Sequence, residues 1–148
     1  MRSSFPLKQL IASLLCLTGS GIWGQEPKPR HSADPGAVLA RIPEKARGKS
    51  NPVEDDPEAA AAGKKLFGQH CAECHGRGAD GTKRGPSLQV EELQHATAGE
   101  LFWILTNGVV RRGMPSWAKL PEPERWQIIT FLRQLGAARQ AGSLAQKY

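Results

Sequence analysis

Apolar positions recur at helical spacing in three stretches of the chain, and no stretch alternates as a strand would require. The longest follows Pro121, where Trp126, Ile129 and Leu132 mark one apolar row and Ile128, Phe131 and Leu135 mark its neighbour. Two adjoining rows make a wide buried face, so a core helix is predicted that Gly136 ends. A second helix is predicted over roughly residues 98–106, stopped by Asn107-Gly108. A third starts at Asp56, whose carboxylate can cap it, with Pro57 where a missing N–H costs nothing. Its alanine-rich run from Glu58 to Gln69 propagates well, offers Leu66 and Phe67 to the core and leads straight into Cys71. A glycine-rich loop follows, with Gly76, Gly78, Gly81 and the break Gly85-Pro86. The fold class is all-α.

The first 56 residues carry a different pattern. Arg2 and Lys8 flank an apolar run from Leu10 to Leu17, no acid occurs before Glu26, and Thr18 to Gly21 are small or polar. Residues 1–24 read as a secretory signal peptide whose apolar run is too short to span a bilayer. Cleavage is expected after Gly24, with Gly21 as the alternative, and membrane association only if the segment is retained. Cys16 follows Leu15, where a lipoprotein signal needs a small residue. Residues 25–56 hold five prolines among charges and no aromatic residue, so they read as a Pro-rich, charged, extended linker. The short run from Ala37 to Ile42 could dock on the domain or a partner, but a solvated spacer is expected. The functional domain is assigned to residues 57–148. At roughly 90 residues it is small for an independent core and calls for a staple.

Cys71-Ala72-Glu73-Cys74-His75 supplies one. Two thiols at this spacing can each add to a vinyl group of a haem, and the adjoining histidine is then held beneath the iron. A redox dithiol would want a βαβ pattern nearby, and the flanks here are helical. A closed zinc site needs four protein ligands, whereas the only further cysteine, Cys16, lies in the signal segment. The single motif predicts one covalently bound haem c, through Cys71 and Cys74, with His75 as axial ligand. Met114 is the only methionine beyond Met1, and it sits in a loop between Gly113 and Pro115. Its thioether is the expected second ligand, one that raises the reduction potential. His70 adjoins Cys71, His95 reads as a solvated loop residue, and His31 lies in the linker.

These features resemble class I monohaem cytochromes c, nearest the small bacterial domains similar to cytochrome c6 and the haem subunits of cbb3-type oxidases. The resemblance rests on Gly63 to Phe67, Cys71 to His75, Gly85 to Leu88, Gly113-Met114-Pro115 and the aromatic last helix, and covers roughly residues 57–136. It implies helices wrapped around one haem, with Gly63 and Phe67 meeting the last helix near Ile128 and Phe131. It implies that Pro86 offers its carbonyl to the other ring nitrogen of His75 and that Leu88 packs on the porphyrin. It implies that the loops holding Lys83-Arg84 and Arg111-Arg112 flank the haem edge.

With both axial positions filled, no site remains for a small-molecule substrate, so an electron carrier is expected rather than an enzyme. From Pro57 onward twelve Lys and Arg face eight Asp and Glu, and a basic rim at Lys83, Arg84, Arg111 and Arg112 would steer an acidic redox partner. The chain's net charge of +6 carries no nucleic-acid motif with it. The expected function is single-electron transfer in the periplasm or at the outer side of the cytoplasmic membrane. The alternatives are a haem subunit of a periplasmic dehydrogenase or oxidase complex and, if Met114 dissociates readily, a gas-binding sensor.

Overall fold

The computed structural model describes residues 34–146. The signal peptide, Cys16 and His31 therefore lie outside the described residues. Two short helices come first, α1 (Pro35–Leu39) and α2 (Glu44–Arg47). The long α3 (Pro57–His70) and the single turn α4 (Ala72–His75) follow, then α5 (Glu91–His95), α6 (Ala98–Asn107) and α7 (Glu122–Ala145). A 3₁₀ turn covers Val110–Arg112, and the described residues form no strand, only an isolated bridge between Val109 and Met114. No described helix is long and apolar enough to cross a membrane.

The fold is held at the crossing of α3 and α7. Asp56 caps α3 as its sequence predicts, accepting from the amides of Glu58 and Ala59 at 2.8 and 3.2 Å. At the crossing, a side chain on Gly63 would overlap the Gln127 carbonyl, so the two backbones touch. One turn on, the Phe67 and Phe131 rings meet with centroids 5.4 Å apart. Trp126, Ile128, Ile129 and Thr130 of α7 are sealed from solvent around the crossing. Helix α6 closes the core from the side by stacking Phe102 on Trp126 at 4.1 Å. Its start is fixed by Thr97 and Glu100, each side chain binding the other's backbone amide.

Two expectations need correction. The extended linker predicted over 25–56 is, from residue 34 on, a folded strap packed on the domain. Ile42 is buried, and Arg47 pairs with the buried carboxylate of Glu100 while donating to the Leu39 carbonyl at 3.0 Å. Lys49 lies over the Phe102 ring, 4.0 Å from its centroid, and bonds Glu122 at 2.7 Å. That bond, with help from the Trp126 indole N–H, holds the Glu122 carboxyl below the ordinary range. Asn51 is buried and donates to Thr130 at 2.9 Å. The prolines stiffen this segment, and two of its charges, Arg47 and Lys49, are turned onto the domain while the others face water.

The second correction concerns α7, which does not stop at Gly136. It runs on to Ala145, because Gly136 keeps helical backbone and lies against the Gln94 side chain of α5. The residues beyond it are mostly good helix formers. Arg139, on that extension, ties it to Asp80 in the glycine-rich loop.

Candidate functional site

Helix α3 delivers the C-x-x-C-H run, and α4 winds it into one turn. The amides of Cys74 and His75 both donate to the Cys71 carbonyl, at 3.1 and 2.9 Å. This turn points Cys71, Cys74 and His75 into one cleft. The loop that follows folds back beneath His75: Gly81 N–H donates to the His75 carbonyl at 2.8 Å, and Leu88 N–H to that of Ala79 at 2.9 Å. The fold-back places the Pro86 carbonyl 2.8 Å from Nδ1 of His75. A carbonyl oxygen can only accept, so Nδ1 carries the proton and the lone pair of Nε2 is left for a metal.

Met114 reaches the same cleft from the segment between α6 and α7. That segment is pinned at both ends. Gly108, at φ 68°, turns the chain out of α6, and a side chain there would meet the Pro115 oxygen at 2.5 Å. Val109 N–H donates to the Met114 carbonyl at 3.0 Å, Ser116 Oγ to that of Thr106 at 2.6 Å, and Trp117 N–H to that of Leu105 at 3.0 Å. The buried Arg125 of α7 in turn donates to the Thr106 hydroxyl. Met114 therefore rests on a braced loop.

The cleft holds about 1060 Å³ of empty space, counted to its open mouth. Its lining is mainly apolar: Phe67, Leu88, the α6 row Leu101, Ile104 and Leu105, and Ile128, Ile129 and Leu132 of α7. Such a space suits a large flat apolar group. Two thiols, an imidazole with a free lone pair and a thioether together suit an iron porphyrin. The Cys71 thiol is not poised for disulfide exchange. Both thiols are unpaired, and burial, followed by the neighbouring Cys74, pushes the Cys71 thiol up to about 11. A redox dithiol needs the opposite shift. Among the described residues no group of three or more His, Cys, Asp and Glu could hold a metal ion, so the two thiols lack partners for a zinc site.

The remaining predicted residues fall in three places. Gly63 and Phe131 do not line the cleft but brace it from behind, through Gln127 and Phe67. Arg84 and Arg112 line the cleft, whereas Lys83 and Arg111 lie beside them outside it. Arg84 is already paired with Glu73. His95 is exposed, 3.9 Å from Glu91 and away from the cleft. Sequence reasoning did not find His70, Trp117 or Arg133, all of which line it. His70 and Trp117 pack ring to ring at 5.4 Å, a contact across the fold that no local pattern signals.

Residues 58–132 match the family described as Cytochrome C oxidase, cbb3-type, subunit III. The chain is 35% identical over 100 residues to the cbb3-type cytochrome c oxidase subunit CcoP of Rubrivivax gelatinosus, covering 64% of this chain and 33% of that protein. It is 35% identical over 91 residues to the quinohemoprotein alcohol dehydrogenase ADH IIB of Pseudomonas putida, covering 61% of this chain and 13% of that protein. The solved structure of cytochrome cL from Methylophaga aminisulfidivorans superposes with a TM-score of 0.51 at 30% identity, over 57% of this chain and 58% of that one. The chain thus spans a third or less of the curated relatives it matches.

Proposed function

Because the chain belongs to the cbb3-type cytochrome c oxidase subunit III family, a family of c-type cytochrome domains, we propose that it is the haem electron-transfer component of a larger exported redox complex. The observation that supports this reading best is the meeting of Cys71, Cys74, His75 and Met114 in one large apolar cleft. Bound there, a single haem c supplies a one-electron carrier whose iron alternates between ferric and ferrous. Cys71 and Cys74 would hold it through thioethers, and His75 Nε2 and the Met114 sulfur would hold its iron. Pro86 fixes the tautomer of His75, while Leu88 and Phe67 exclude water from the ring.

Membership of a complex, rather than free shuttling, is the reading that the relatives support. Both curated relatives are named as redox enzymes or their subunits, and both are much longer than this chain. Arg111, Arg112 and Lys83 then form a basic rim for an acidic partner, with Arg84 largely neutralised by Glu73. Purification from the native cell envelope under mild conditions tests this reading. One catalytic subunit should return in stoichiometric amount, and a lone monomer that exchanges electrons at full rate would overturn it.

The ligand assignment has its own test. Met114→Ala should leave the haem attached but abolish the weak near-infrared band of ferric iron–sulfur ligation. The potential should fall by on the order of 0.1–0.3 V, within the roughly 0.8 V that axial ligands span. An unchanged band would exclude Met114.

A further inference from the structure

The cleft is lined by three guanidinium groups, those of Arg84, Arg112 and Arg133, and by no carboxylate. Their situations differ. Arg84 pairs with Glu73, and Arg112 is exposed to solvent on the Met114 loop. Arg133 is half-buried, and among the described residues no acid pairs with it. Its Nη1 donates to the Gln94 carbonyl at 2.6 Å and its Nη2 to that of Ala96, while its buried Nε has no partner. These two carbonyls lie at the end of α5, so the side chain is held in one rotamer by groups that carry no charge to match it.

A guanidinium has five N–H donors, of which the two carbonyls take two. Three donors and a full positive charge are left on the wall of an apolar space. Burying a charge in this way is costly unless an anion arrives to meet it. Haem brings two propionate carboxylates. We propose that Arg133 receives one of them, fixing how the ring seats in the cleft and leaving only the other propionate to solvent. Planar, forked donors favour a carboxylate over any other anion that such a ring carries. The proposal rests on the haem reading given above. His70 and His75 are the other titratable nitrogen groups that line the cleft, and His75 is already bound to the Pro86 carbonyl.

The test is a proton NMR titration of the haem propionate groups in the intact haem protein, after a haemochrome spectrum has established covalent haem. A carboxylate beside an arginine keeps its charge to lower pH, typically by about 1–3 units. In the wild type one propionate should therefore titrate well below the other. Arg133→Gln should raise that titration by about one pH unit or more, a tenfold change in proton affinity. The same variant should lower the midpoint potential, because the ferrous state loses a nearby cation. Arg112→Gln, which removes a solvated charge from the same cleft, should move the titration clearly less. Equal titrations in wild type and Arg133→Gln would overturn the proposal, as would an equally large shift in Arg112→Gln. Should Arg133→Gln fail to accumulate, a wild-type nuclear Overhauser contact between the Arg133 N–H protons and the propionate methylenes decides. Its absence refutes the pairing. Absence of covalent haem in the wild type would instead refute the function proposed above.

Discussion

Replacing Cys71 and Cys74 together with Ala should yield a chain whose haem is extracted by acid acetone and whose domain melts broadly at low temperature. Each thiol is expected to form one thioether, so either single variant keeps its haem through the other. The double variant keeps only the bonds to iron. Once the haem leaves, Phe67, Leu88, Leu105, Ile128 and Ile129 line an empty cleft. Unfilled apolar space costs about 24 cal/mol per Å³, and a domain's whole stability is roughly 5–15 kcal/mol. A cavity of about 150 Å³ would then cost about 3–4 kcal/mol, a large share of that stability. Haem staining after denaturing electrophoresis and a thermal melt read both effects. Covalent haem surviving in the double variant would sink the assignment.

Gly63→Ala should be strongly destabilising, because it forces apart the two helices that hold the fold. The added carbon would overlap the carbonyl of Gln127 and crowd the amide of Ile128, all of it backbone of α7. No rotamer relieves a clash with backbone, so α3 and α7 must part. Parting them opens the Phe67–Phe131 contact behind the cleft. Overpacking usually costs about 1–3 kcal/mol, and a rigid obstacle places this case at about 3 kcal/mol or more. For a domain of this size the melting temperature should fall by on the order of 10 °C. Gly68→Ala is the control on the same helix, because a side chain there meets nothing within 4 Å. It should be neutral or stabilise by about 0.5–1 kcal/mol. Equal melts for Gly63→Ala and wild type would contradict the backbone contact.

What the sequence made legible is what has a local signature. Helix α3 announces itself through Asp56-Pro57 and its alanines, α6 through Asn107-Gly108, and α7 through two apolar rows. The cysteine motif is contiguous, and the Met-Pro loop lies between readable helices. Helix α5 is a single turn without a side-chain cap, so periodicity had nothing to detect. Gly136 misled because a glycine signals a helix stop only if its backbone turns, and this one is held by a neighbour. The strap misled for a deeper reason. Arg47 and Asn51 find their partners 53 and 79 residues away, in Glu100 and Thr130. A charge bound for a buried partner looks, in sequence, like any solvated charge. Arg133 hid in the same way, since its anchors are backbone carbonyls of another helix.

Those long separations also set an order of events. A polypeptide emerges from the ribosome amino end first, at about 5–20 residues per second. The strap and the Cys71–His75 turn are therefore made before Glu100, and long before Trp126 and Thr130 exist. Until α7 follows, α3 has no face to pack on, and Cys71, buried in the finished molecule, stays open to whatever chemistry reaches it. The contact of Arg47 can close only once Glu100 is made, and those of Lys49 with Trp126 and Asn51 with Thr130 only after α7. The backbone around Gly48 thus acts as a seal set last, and a protease that cuts there marks copies whose carboxyl half is missing or not yet docked.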